Sequence, residues 1–238
     1  MNYVMSDIHG NIPRFESVME QINLQPEDTL YILGDVIDRY PDGIKLLRRV
    51  MAMPNVKMLL GNHEYMMLQA IGDCKDAAEE KEHRVENAMA LSRWYHNGGE
   101  VTHKQIKHVR KSVRAEIFRF IDQLPLNMDV EVNGIKYKLV HGSPVENYED
   151  FGWNRRQYPT VRDFAVWNRW DECQYVPEGY VMIFGHTPTH YFRSISPLEI
   201  WTNGEAIGID CGCGFLDGRL ACIRLEDMKV FYSKDEGA

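Results

Sequence analysis

Short apolar runs alternate with polar clusters along the first 71 residues of the chain. Three of these runs predict strands, at Tyr3 to Met5, Thr29 to Leu33 and Val56 to Leu60. Between them, apolar residues recur at helical spacing, first at Phe15, Val18, Met19 and Ile22, and then at Ile44, Leu47, Val50 and Met51. The repeated order of strand, loop and helix predicts an α/β fold in which helices pack on a sheet.

The middle of the chain changes character. Residues 72–111 are rich in Lys, Glu and His, show little apolar periodicity and contain the breaker Asn97-Gly98-Gly99, so we expect an exposed helical insertion. A periodic helix follows, with Val113, Ile117, Phe120, Ile121 and Leu124 on one face, and Pro125 ends it. Asn133-Gly134 then separates two alternating runs, which predicts a hairpin between strands at 128–132 and 135–140.

The last part of the chain is predicted to be mainly strands. One strand is expected at Tyr180 to Phe184, and three more are expected near 206–210, 219–225 and 229–232. Asp217-Gly218 is predicted to turn a hairpin within this tail. A chain of 238 residues fits one α/β domain with one core, so we expect a single domain over residues 1–238.

Composition narrows the class of protein. Hydrophobic residues make up 44% and charged residues 26% of the chain, which is typical of a soluble globular protein. The formal net charge of -8 argues against a nucleic-acid partner, because surfaces that neutralise nucleic-acid phosphates are normally basic. Small phosphorylated substrates remain compatible, because metal ions and a few arginines can meet their charge locally.

The cysteines bear on the compartment. Cys74, Cys173, Cys211, Cys213 and Cys222 are odd in number and scattered, which does not predict a disulfide framework. The Cys-x-Cys pair at 211 and 213 fits a zinc site or two buried strand cysteines, and the second interpretation is favoured. No targeting segment is visible at the start, and no apolar run approaches the roughly 20 residues of a membrane span, so we expect a cytoplasmic protein without a membrane partner.

Polar residues with metal-binding chemistry follow five of the predicted strands. They are Asp7 with His9, then Asp35, Asn62 with His63, His141 and His186. Any one of these residues alone would be read as a helix cap or a satisfied polar side chain. Ligands in α/β sheets collect beyond the carboxyl ends of strands, so we expect the five clusters to converge. Carboxylate, imidazole and amide oxygen together suit Mn, Fe or Zn.

The ordered motifs SDIHGN, GDVIDRYPDG, GNHE, VHGS and GHTPTH resemble those of the calcineurin-like metallophosphoesterases. The resemblance is closest to the phosphoprotein phosphatase branch, with its compact bacterial and phage members, and covers positions 6–190. It implies an α/β fold of the four-layer sandwich type, in which mixed β-sheets are flanked by helices.

The resemblance also implies a centre of two divalent metal ions, with Mn expected and Fe or Zn as alternatives. The first ion would be held by Asp7, His9 and Asp35, and the second by Asp35, Asn62, His141 and His186. Asp35 would therefore bridge the ions. A hydroxide held between two such ions would attack phosphorus in line, without a covalent phosphoenzyme.

Four further residues match catalytic positions of the family. His63 resembles the general acid, and Asp38 resembles the carboxylate that orients it, although a salt bridge from Asp38 to Arg39 is the simpler alternative. Arg39 and Arg169 match the two phosphate-binding arginines, whose guanidinium groups fit phosphate oxygens. Three other arginines fall in the same part of the chain as Arg169 and are alternatives to it, namely Arg155, Arg156 and Arg162.

The chain departs from the family pattern at two places. Tyr40 stands where glycine is common, and its bulk is expected to narrow the mouth of the site. Pro188 stands where many wider members have a second metal-binding histidine, which favours the protein phosphatase branch. His190 lies two residues further on, and we leave it out of the metal site.

Aromatic residues are dense between 143 and 177. Tyr148, Trp153, Tyr158, Trp167, Trp170 and Tyr175 all fall there. They fit a substrate cleft and a loop packed on the core equally well, because aromatic side chains dominate both. The 72–111 segment is open to the same two interpretations, and a solvated face is favoured for it.

Together these features predict a metal-dependent phosphomonoesterase, a serine/threonine protein phosphatase, acting on phosphorylated proteins or small phosphoesters. A dinucleoside polyphosphate hydrolase, such as one that cleaves diadenosine tetraphosphate, is the alternative enzyme. An inactive binding module that keeps the fold is the alternative of another class, and the intact set of ligands argues against it.

Overall fold

A computed structural model describes residues 1–72, 80–150, 154–172 and 174–234 of the chain. The described strands are β1 (Asn2–Met5), β2 (Thr29–Ile32), β3 (Val56–Met58), β4 (Asn127–Val132), β5 (Ile135–Val140), β6 (Tyr180–Phe184), β7 (Trp201–Thr202), β8 (Ala206–Gly208), β9 (Ala221–Arg224) and β10 (Lys229–Tyr232). The described helices are α1 (Ile12–Ile22), α2 (Gly43–Ala52), α3 (Asn62–Ile71), α4 (Glu80–His96), α5 (Glu100–Ile106), α6 (Lys111–Asp122), α7 (Asn147–Asp150), α8 (Asn154–Gln157) and α9 (Val161–Trp167), with a short 3₁₀ helix at Thr189–Tyr191. None of the described helices has an apolar stretch long enough to cross a membrane.

The strands form two five-stranded mixed sheets. The first has the order β10-β9-β1-β2-β3, in which β1, β2 and β3 are parallel and β9 runs antiparallel to β1 and β10. The second has the order β4-β5-β6-β8-β7, in which β5, β6 and β8 are parallel. Helices flank these sheets, so the predicted fold class is confirmed.

Side chains of the first sheet alternate between two apolar clusters, one on each face of the sheet. Val4 of β1 and Tyr31 of β2 are buried in a cluster between the two sheets, where Ile183 of β6 meets them. Met5 and Ile32, their neighbours in sequence, belong to the cluster that the helices cover. Successive residues of a strand point to opposite faces of the sheet. Both faces of this sheet are therefore apolar, and one is covered by the second sheet and the other by helices.

The hairpin predicted at Asn133-Gly134 is confirmed. Val132 pairs with Ile135 across the turn, and β4 and β5 pair in antiparallel register along their whole length. Asn133 has φ 52° and Gly134 has φ 78°. Two consecutive positive φ values are what a tight two-residue hairpin turn requires, and Asn-Gly adopts them with the least strain.

The hairpin predicted at Asp217-Gly218 is wrong. The strands on either side of it, β8 and β9, belong to different sheets and do not pair. The antiparallel pair of the tail is β9 with β10. Turn residues report local backbone bending, whereas the partner of a strand is decided by which sheet can bury its side chains.

The described part of the 72–111 segment is exposed or partly exposed over most of its side chains, but a few of them are buried. The segment is helical, as α4 and α5, but Ala90, Trp94, Thr102 and Ile106 are buried. The helix α4 packs closely on α3, which follows β3. The sequence does not predict these buried residues, because they are dispersed along the segment and do not form a continuous apolar face.

The Cys211 and Cys213 pair fits the interpretation of buried strand-end cysteines. Both side chains are free thiols with almost no exposure, and burial raises the pKa of Cys211 to about 12 and that of Cys213 further still. Protonated thiols are poor metal ligands. Cys74 and Cys173 lie outside the described residues.

Candidate metal and phosphate site

The predicted metal ligands lie at the carboxyl ends of strands from both sheets. Asp7 and His9 follow β1, Asp35 follows β2, Asn62 follows β3, His141 follows β5 and His186 follows β6. All six side chains are buried. The two sheets therefore contribute to one site at the edge where their parallel strands end.

Left-handed backbone marks the turns that carry these side chains. Asp7, His9, Asp35 and His186 have φ values of 54°, 53°, 56° and 59°. For residues with a Cβ this conformation costs on the order of 1 kcal/mol each, and it persists where the surrounding structure enforces it. Asp38 and Arg39 share it, with φ 72° and 66°. The strained positions among the described residues are thus concentrated at the predicted site.

Asp35 lies at the centre of the cluster. Its Oδ2 is 3.9 Å from His9 Nε2 and 3.8 Å from His63 Nε2, and its Oδ1 is 3.6 Å from His141 Nε2. The backbone N–H of His63 also donates to Asp35 Oδ1 at 3.0 Å. One carboxylate therefore faces imidazoles on both of its oxygens, which is the arrangement required of a bridging ligand.

The loop that carries Asp35 is held by Glu64, the last residue of the GNHE motif. Its carboxylate is fully buried and accepts backbone N–H bonds from Asp35 at 2.9 Å, Val36 at 2.8 Å and Ile37 at 3.2 Å. Burial raises the pKa of Glu64, and the bonds from Asp35 and Val36 partly oppose this. Sequence reasoning gave this residue no role, although a buried acid next to two site residues was a usable signal.

Among the residues that the structure describes, two groups of side chains have the spacing of a metal site. His9, Asp35 and His63 form one, and Asp35, His141 and His186 form the other; within each group the possible ligand atoms lie within 4.8 Å of one another. Asp35 is common to both.

The two remaining predicted ligands lie beside these groups. Asp7 Oδ1 is 4.0 Å from His9 Nε2, and Asn62 Oδ1 is 2.9 Å from His141 Nε2. Buried carboxylate, imidazole and amide oxygen donors fit divalent cations of intermediate hardness.

Backbone carbonyls fix the orientation of three imidazoles. His9 Nδ1 contacts the carbonyl of Ile37 at 3.1 Å, and His141 Nδ1 contacts that of Leu33 at 2.6 Å. His186 uses Nε2, which is 3.2 Å from the carbonyl of Trp167. A carbonyl accepts only from a protonated nitrogen. When an imidazole held in this way is neutral, its other nitrogen keeps a lone pair for a ligand bond.

Burial sets the charge of these groups. Burial lowers the pKa of His9, and the charges of Arg39 and His63 lower it further. Burial also lowers the pKa of His186, and the charges of His141 and Arg169 lower it further. Both rings are therefore neutral near pH 7, which is the form that binds metal. Burial raises the pKa of Asp35 well above its usual value; His63 opposes this rise, and the carboxylates of Asp7 and Glu64 add to it.

A hydrogen-bonded chain leads from His63 into the protein. His63 Nδ1 lies 2.7 Å from Asp38 Oδ2, and the same oxygen accepts the indole N–H of Trp94 at 2.7 Å. Asp38 is fully buried, and its other oxygen has no hydrogen-bond partner among the described residues. Asp38 thus faces His63 and not Arg39, so the simpler alternative of a salt bridge to Arg39 does not hold.

The segment from α4 to α5 clamps the backbone of Asp38 and Arg39. Thr102 Oγ1 accepts the N–H of Asp38 at 3.0 Å, and the carbonyl of Gly98 accepts that of Arg39 at 3.2 Å. A Cβ on Gly99 would lie 2.2 Å from Trp94 Nε1, so only glycine allows the indole its position. In the sequence, Asn97-Gly98-Gly99 indicates only a break in a helix, and no local pattern marks Trp94 or Thr102 as part of the site.

Both predicted phosphate-binding arginines line a cavity of about 100 Å³ over the cluster. Arg39 Nη2 lies 3.5 Å from His63 Nε2, and Arg169 Nη1 donates to the carbonyl of His186 at 2.8 Å. Of the alternatives to Arg169, Arg162 instead pairs with the exposed Asp122. Arg156 is exposed and does not line the cavity, and the side chain of Arg155 lies outside the described residues.

Aromatic residues between 143 and 177 divide between the two interpretations. Trp167 lines the cavity. Trp170 is buried in the core outside the second sheet, and Tyr148 and Tyr158 pack on Phe164. Tyr175 is exposed, and Trp153 lies outside the described residues.

Tyr40, His190 and Asp210 differ in whether they line the cavity. Tyr40 is not among the lining residues, so it does not narrow the mouth as expected. His190 lines the mouth but is exposed and belongs to neither candidate metal group. Asp210, two residues after β8, also lines it and was not predicted; burial and the nearby Asp7 raise its pKa to about 8.

Residues 3–218 match the family model of the calcineurin-like phosphoesterases, which is most of the chain. The chain belongs to this family.

Curated relatives match over short segments. The chain is 40% identical over 68 residues to the symmetrical bis(5'-nucleosyl)-tetraphosphatase of Erwinia tasmaniensis, a match that covers 28% of this chain and 25% of that protein. It is 37% identical over 81 residues to the protein of the same name from Wigglesworthia glossinidia brevipalpis, which covers 33% and 30%. The matches therefore span less than a third of these relatives.

Solved structures match over nearly the whole chain. A candidate diadenosine tetraphosphatase superposes with a TM-score of 0.57 at 17% identity, covering 97% of this chain and 91% of that one. A metallophosphoesterase from Sphaerobacter thermophilus gives 0.53 at 16%, covering 100% and 89%. A serine/threonine phosphatase from Saccharomyces cerevisiae gives 0.50 at 14%, covering 100% and 80%. At these identities the likeness shows the fold alone.

Proposed function

We propose that this calcineurin-like phosphoesterase is a two-metal hydrolase that cleaves a dinucleoside tetraphosphate. The observation that carries the hydrolase chemistry is the position of Asp35, whose two oxygens face His9 and His63 on one side and His141 on the other. The curated relatives named as symmetrical bis(5'-nucleosyl)-tetraphosphatases support the substrate. The sequence had favoured a serine/threonine protein phosphatase, and the relatives favour its alternative.

The proposed ligands follow the sequence prediction. Asp7, His9 and Asp35 would hold the first divalent ion, and Asp35, Asn62, His141 and His186 would hold the second, with manganese as the expected ion and iron or zinc as alternatives. When bound, two such ions supply an activated water and positive charge at the phosphoryl oxygens.

Side chains of the protein bind the phosphate and donate a proton to the leaving group. Arg39 and Arg169 hold the phosphoryl oxygens and keep the scissile bond in line with the attacking water. As the water oxygen bonds to phosphorus, the bond to the leaving oxygen breaks and the proton of the attacking water passes to the solvent. His63, oriented through Nδ1 by Asp38, gives the proton on Nε2 to the leaving oxygen.

Phosphoserine or phosphothreonine in proteins is the second candidate substrate. The buried contacts from Trp94 through Asp38 to His63 favour it, because a serine alkoxide is a far poorer leaving group than a nucleoside diphosphate and needs a proton more. An oriented acid is therefore more valuable to a phosphomonoesterase than to an anhydride hydrolase.

One manganese-loaded preparation tests both substrates. We expect diadenosine tetraphosphate to give the highest kcat/KM among that anhydride, a phosphothreonine peptide and p-nitrophenyl phosphate. A symmetrical cut yields only ADP, whereas an asymmetric cut yields ATP and AMP, so product chromatography identifies the bond broken. Preference for the phosphopeptide would establish the second candidate and refute the first.

A further inference from the structure

Two aromatic side chains stand exposed at the mouth of the metal and phosphate cavity. Tyr191 is 67% exposed and Phe215 is 49% exposed, and both line the cavity. Large apolar groups that remain open to solvent beside a polar cavity commonly mark a ligand-binding surface. Neither ring was singled out by the sequence.

Phe215 is held on the side of His9. The loop that carries it is fixed by Arg14, whose Nη1 donates to the carbonyls of Cys213 at 2.8 Å and of Phe215 at 2.7 Å. A Cβ on Gly214 would lie 2.5 Å from His9 Cδ2, so the loop rests directly on that ring. An exposed phenyl ring is therefore presented by a well-anchored loop.

Phe215 also lies against a phosphate-binding arginine. The guanidinium carbon of Arg39 is 4.8 Å from the centre of the phenyl ring. The aromatic ring and the cation are thus adjacent on the side of the first candidate metal group, which contains His9.

Tyr191 is held on the opposite side, that of His186. It ends the short 3₁₀ helix, which Thr189 anchors by donating its backbone N–H to the carbonyl of Asp210 at 2.8 Å and its hydroxyl to the carbonyl of Pro197 at 2.7 Å. The guanidinium carbon of Arg169 lies 5.8 Å from the tyrosine ring, and Arg169 also donates to the carbonyl of His186.

The two halves of the mouth therefore carry the same unit, an exposed ring beside an arginine. One unit, Phe215 with Arg39, borders the first candidate metal group. The other, Tyr191 with Arg169, borders the second. A planar, uncharged group attached to a phosphate would meet both members of a unit at once, by stacking on the ring and by ion pairing with the guanidinium.

We propose that Phe215 and Tyr191 are stacking surfaces for the two nucleobases of a dinucleoside polyphosphate whose phosphate chain lies between Arg39 and Arg169. This inference rests on the proposed function. A substrate with a base at each end of a phosphate chain matches a mouth with a ring on each side of the metal groups. Stacking needs no hydrogen-bond readout, so the two surfaces accept any base.

Steady-state kinetics of Phe215→Ala and Tyr191→Ala test the proposal. Each substitution is expected to raise KM for diadenosine tetraphosphate about fivefold or more beyond its effect on KM for inorganic tripolyphosphate, an anhydride that carries no aromatic ring. Tyr191→Phe keeps the ring and should retain the wild-type KM ratio. Ile195→Ala removes another exposed apolar side chain, one that does not line the cavity, and it should change neither KM.

Equal KM increases for the two substrates would overturn the proposal, since the rings would then only brace the arginines. A selective increase for a phosphothreonine peptide would overturn it as well, because the rings would then serve a protein substrate. No change in either KM would do so too.

An inhibition assay separates this inference from the proposed function. ADP should inhibit p-nitrophenyl phosphate hydrolysis at least about fivefold more tightly than pyrophosphate, and each alanine variant should reduce that preference. If the wild type keeps this preference but does not cleave diadenosine tetraphosphate, the proposed function fails and the stacking surfaces stand. Equal inhibition by ADP and pyrophosphate overturns the stacking surfaces whatever the enzyme cleaves.

Discussion

The indole N–H of Trp94 and the imidazole of His63 meet at one oxygen of Asp38, each at 2.7 Å. Trp94 and Asp38 are both fully buried, so water cannot replace the indole contact if it is lost. A hydrogen bond to a buried charged group contributes more than one between neutral groups. Trp94 is therefore placed to fix the carboxylate that orients His63, although it is 31 residues away from His63 in the chain.

Trp94→Phe should slow hydrolysis most for substrates whose leaving group is strongly basic and therefore depends on protonation. We expect kcat for phenyl phosphate, which has a poor leaving group, to fall about tenfold or more, and kcat for p-nitrophenyl phosphate to fall much less. Trp170→Phe is the matched control, because Trp170 is equally buried but its indole N–H has no hydrogen-bond partner among the described residues. Equal losses on both substrates would mean that Trp94 only supports the fold.

His63→Asn should remove the proposed proton donor without removing the metals. We expect kcat for phenyl phosphate to fall about 10²- to 10⁴-fold, the usual contribution of general acid catalysis. Metal content, measured by mass spectrometry of the purified protein, should match the wild type. His108→Asn changes an exposed histidine and should leave kcat unaltered. Unchanged hydrolysis by the His63 variant would contradict its assignment as the acid.

Asp35→Asn and Asp7→Asn should differ in metal stoichiometry. Asp35 belongs to both candidate metal groups, so its loss should reduce binding of both ions, whereas loss of Asp7 should affect one. After manganese loading and desalting, elemental analysis should find about two ions in the wild type, about one in Asp7→Asn and fewer in Asp35→Asn. Asp217→Asn, an exposed control, should keep the wild-type content. Equal losses in the Asp35 and Asp7 variants would argue against a bridging Asp35.

The protein kept metal-free with a chelator should become less stable as the pH rises from about 6.5 to 8. Asp210 has a pKa raised to about 8 in the fold, against 3.8 for an unperturbed carboxyl group, so in this window the folded form holds a proton that the unfolded chain has released. Stability therefore falls with rising pH, by up to about 1.4 kcal/mol per pH unit for one such group. Asp35, whose pKa is also raised, adds to the same slope.

Asp210→Asn should flatten this slope, as measured by urea unfolding at several pH values within the window. Asp217→Asn should leave it unchanged, since that carboxylate is exposed. Below about pH 6.5 the slope has an opposing contribution, because His9 and His186 stay neutral in the fold while the unfolded chain takes up protons. An identical slope in the Asp210→Asn variant and the wild type would show that Asp210 does not carry the effect.

Strand ends were the part of this molecule that its sequence predicted best. An apolar run followed by Asp7 or Asp35 predicts where the strand ends and which polar side chain follows it. The sheet topology then brings these strand ends together. Trp94 and Asp210 carry no such local signal. Their importance depends on packing between distant segments, since Trp94 meets Asp38 across 56 residues.

Short elements and strand partners were also beyond the sequence. The strand β7 has only two residues, too few for an alternating pattern. The failed hairpin at Asp217-Gly218 shows that turn chemistry does not choose the sheet in which a strand lies. The single domain over residues 1–238 and the cytoplasmic location stay predictions.

The left-handed turns at Asp7, His9, Asp35 and His186 restrict how this protein can change over evolutionary time. Asparagine and glycine tolerate that backbone, whereas β-branched and bulky residues resist it. A descendant released from selection for catalysis would therefore drift preferentially to asparagine or glycine at these four positions. Such a lineage would keep the fold, and asparagine or glycine at these four positions would indicate that it descends from an enzyme.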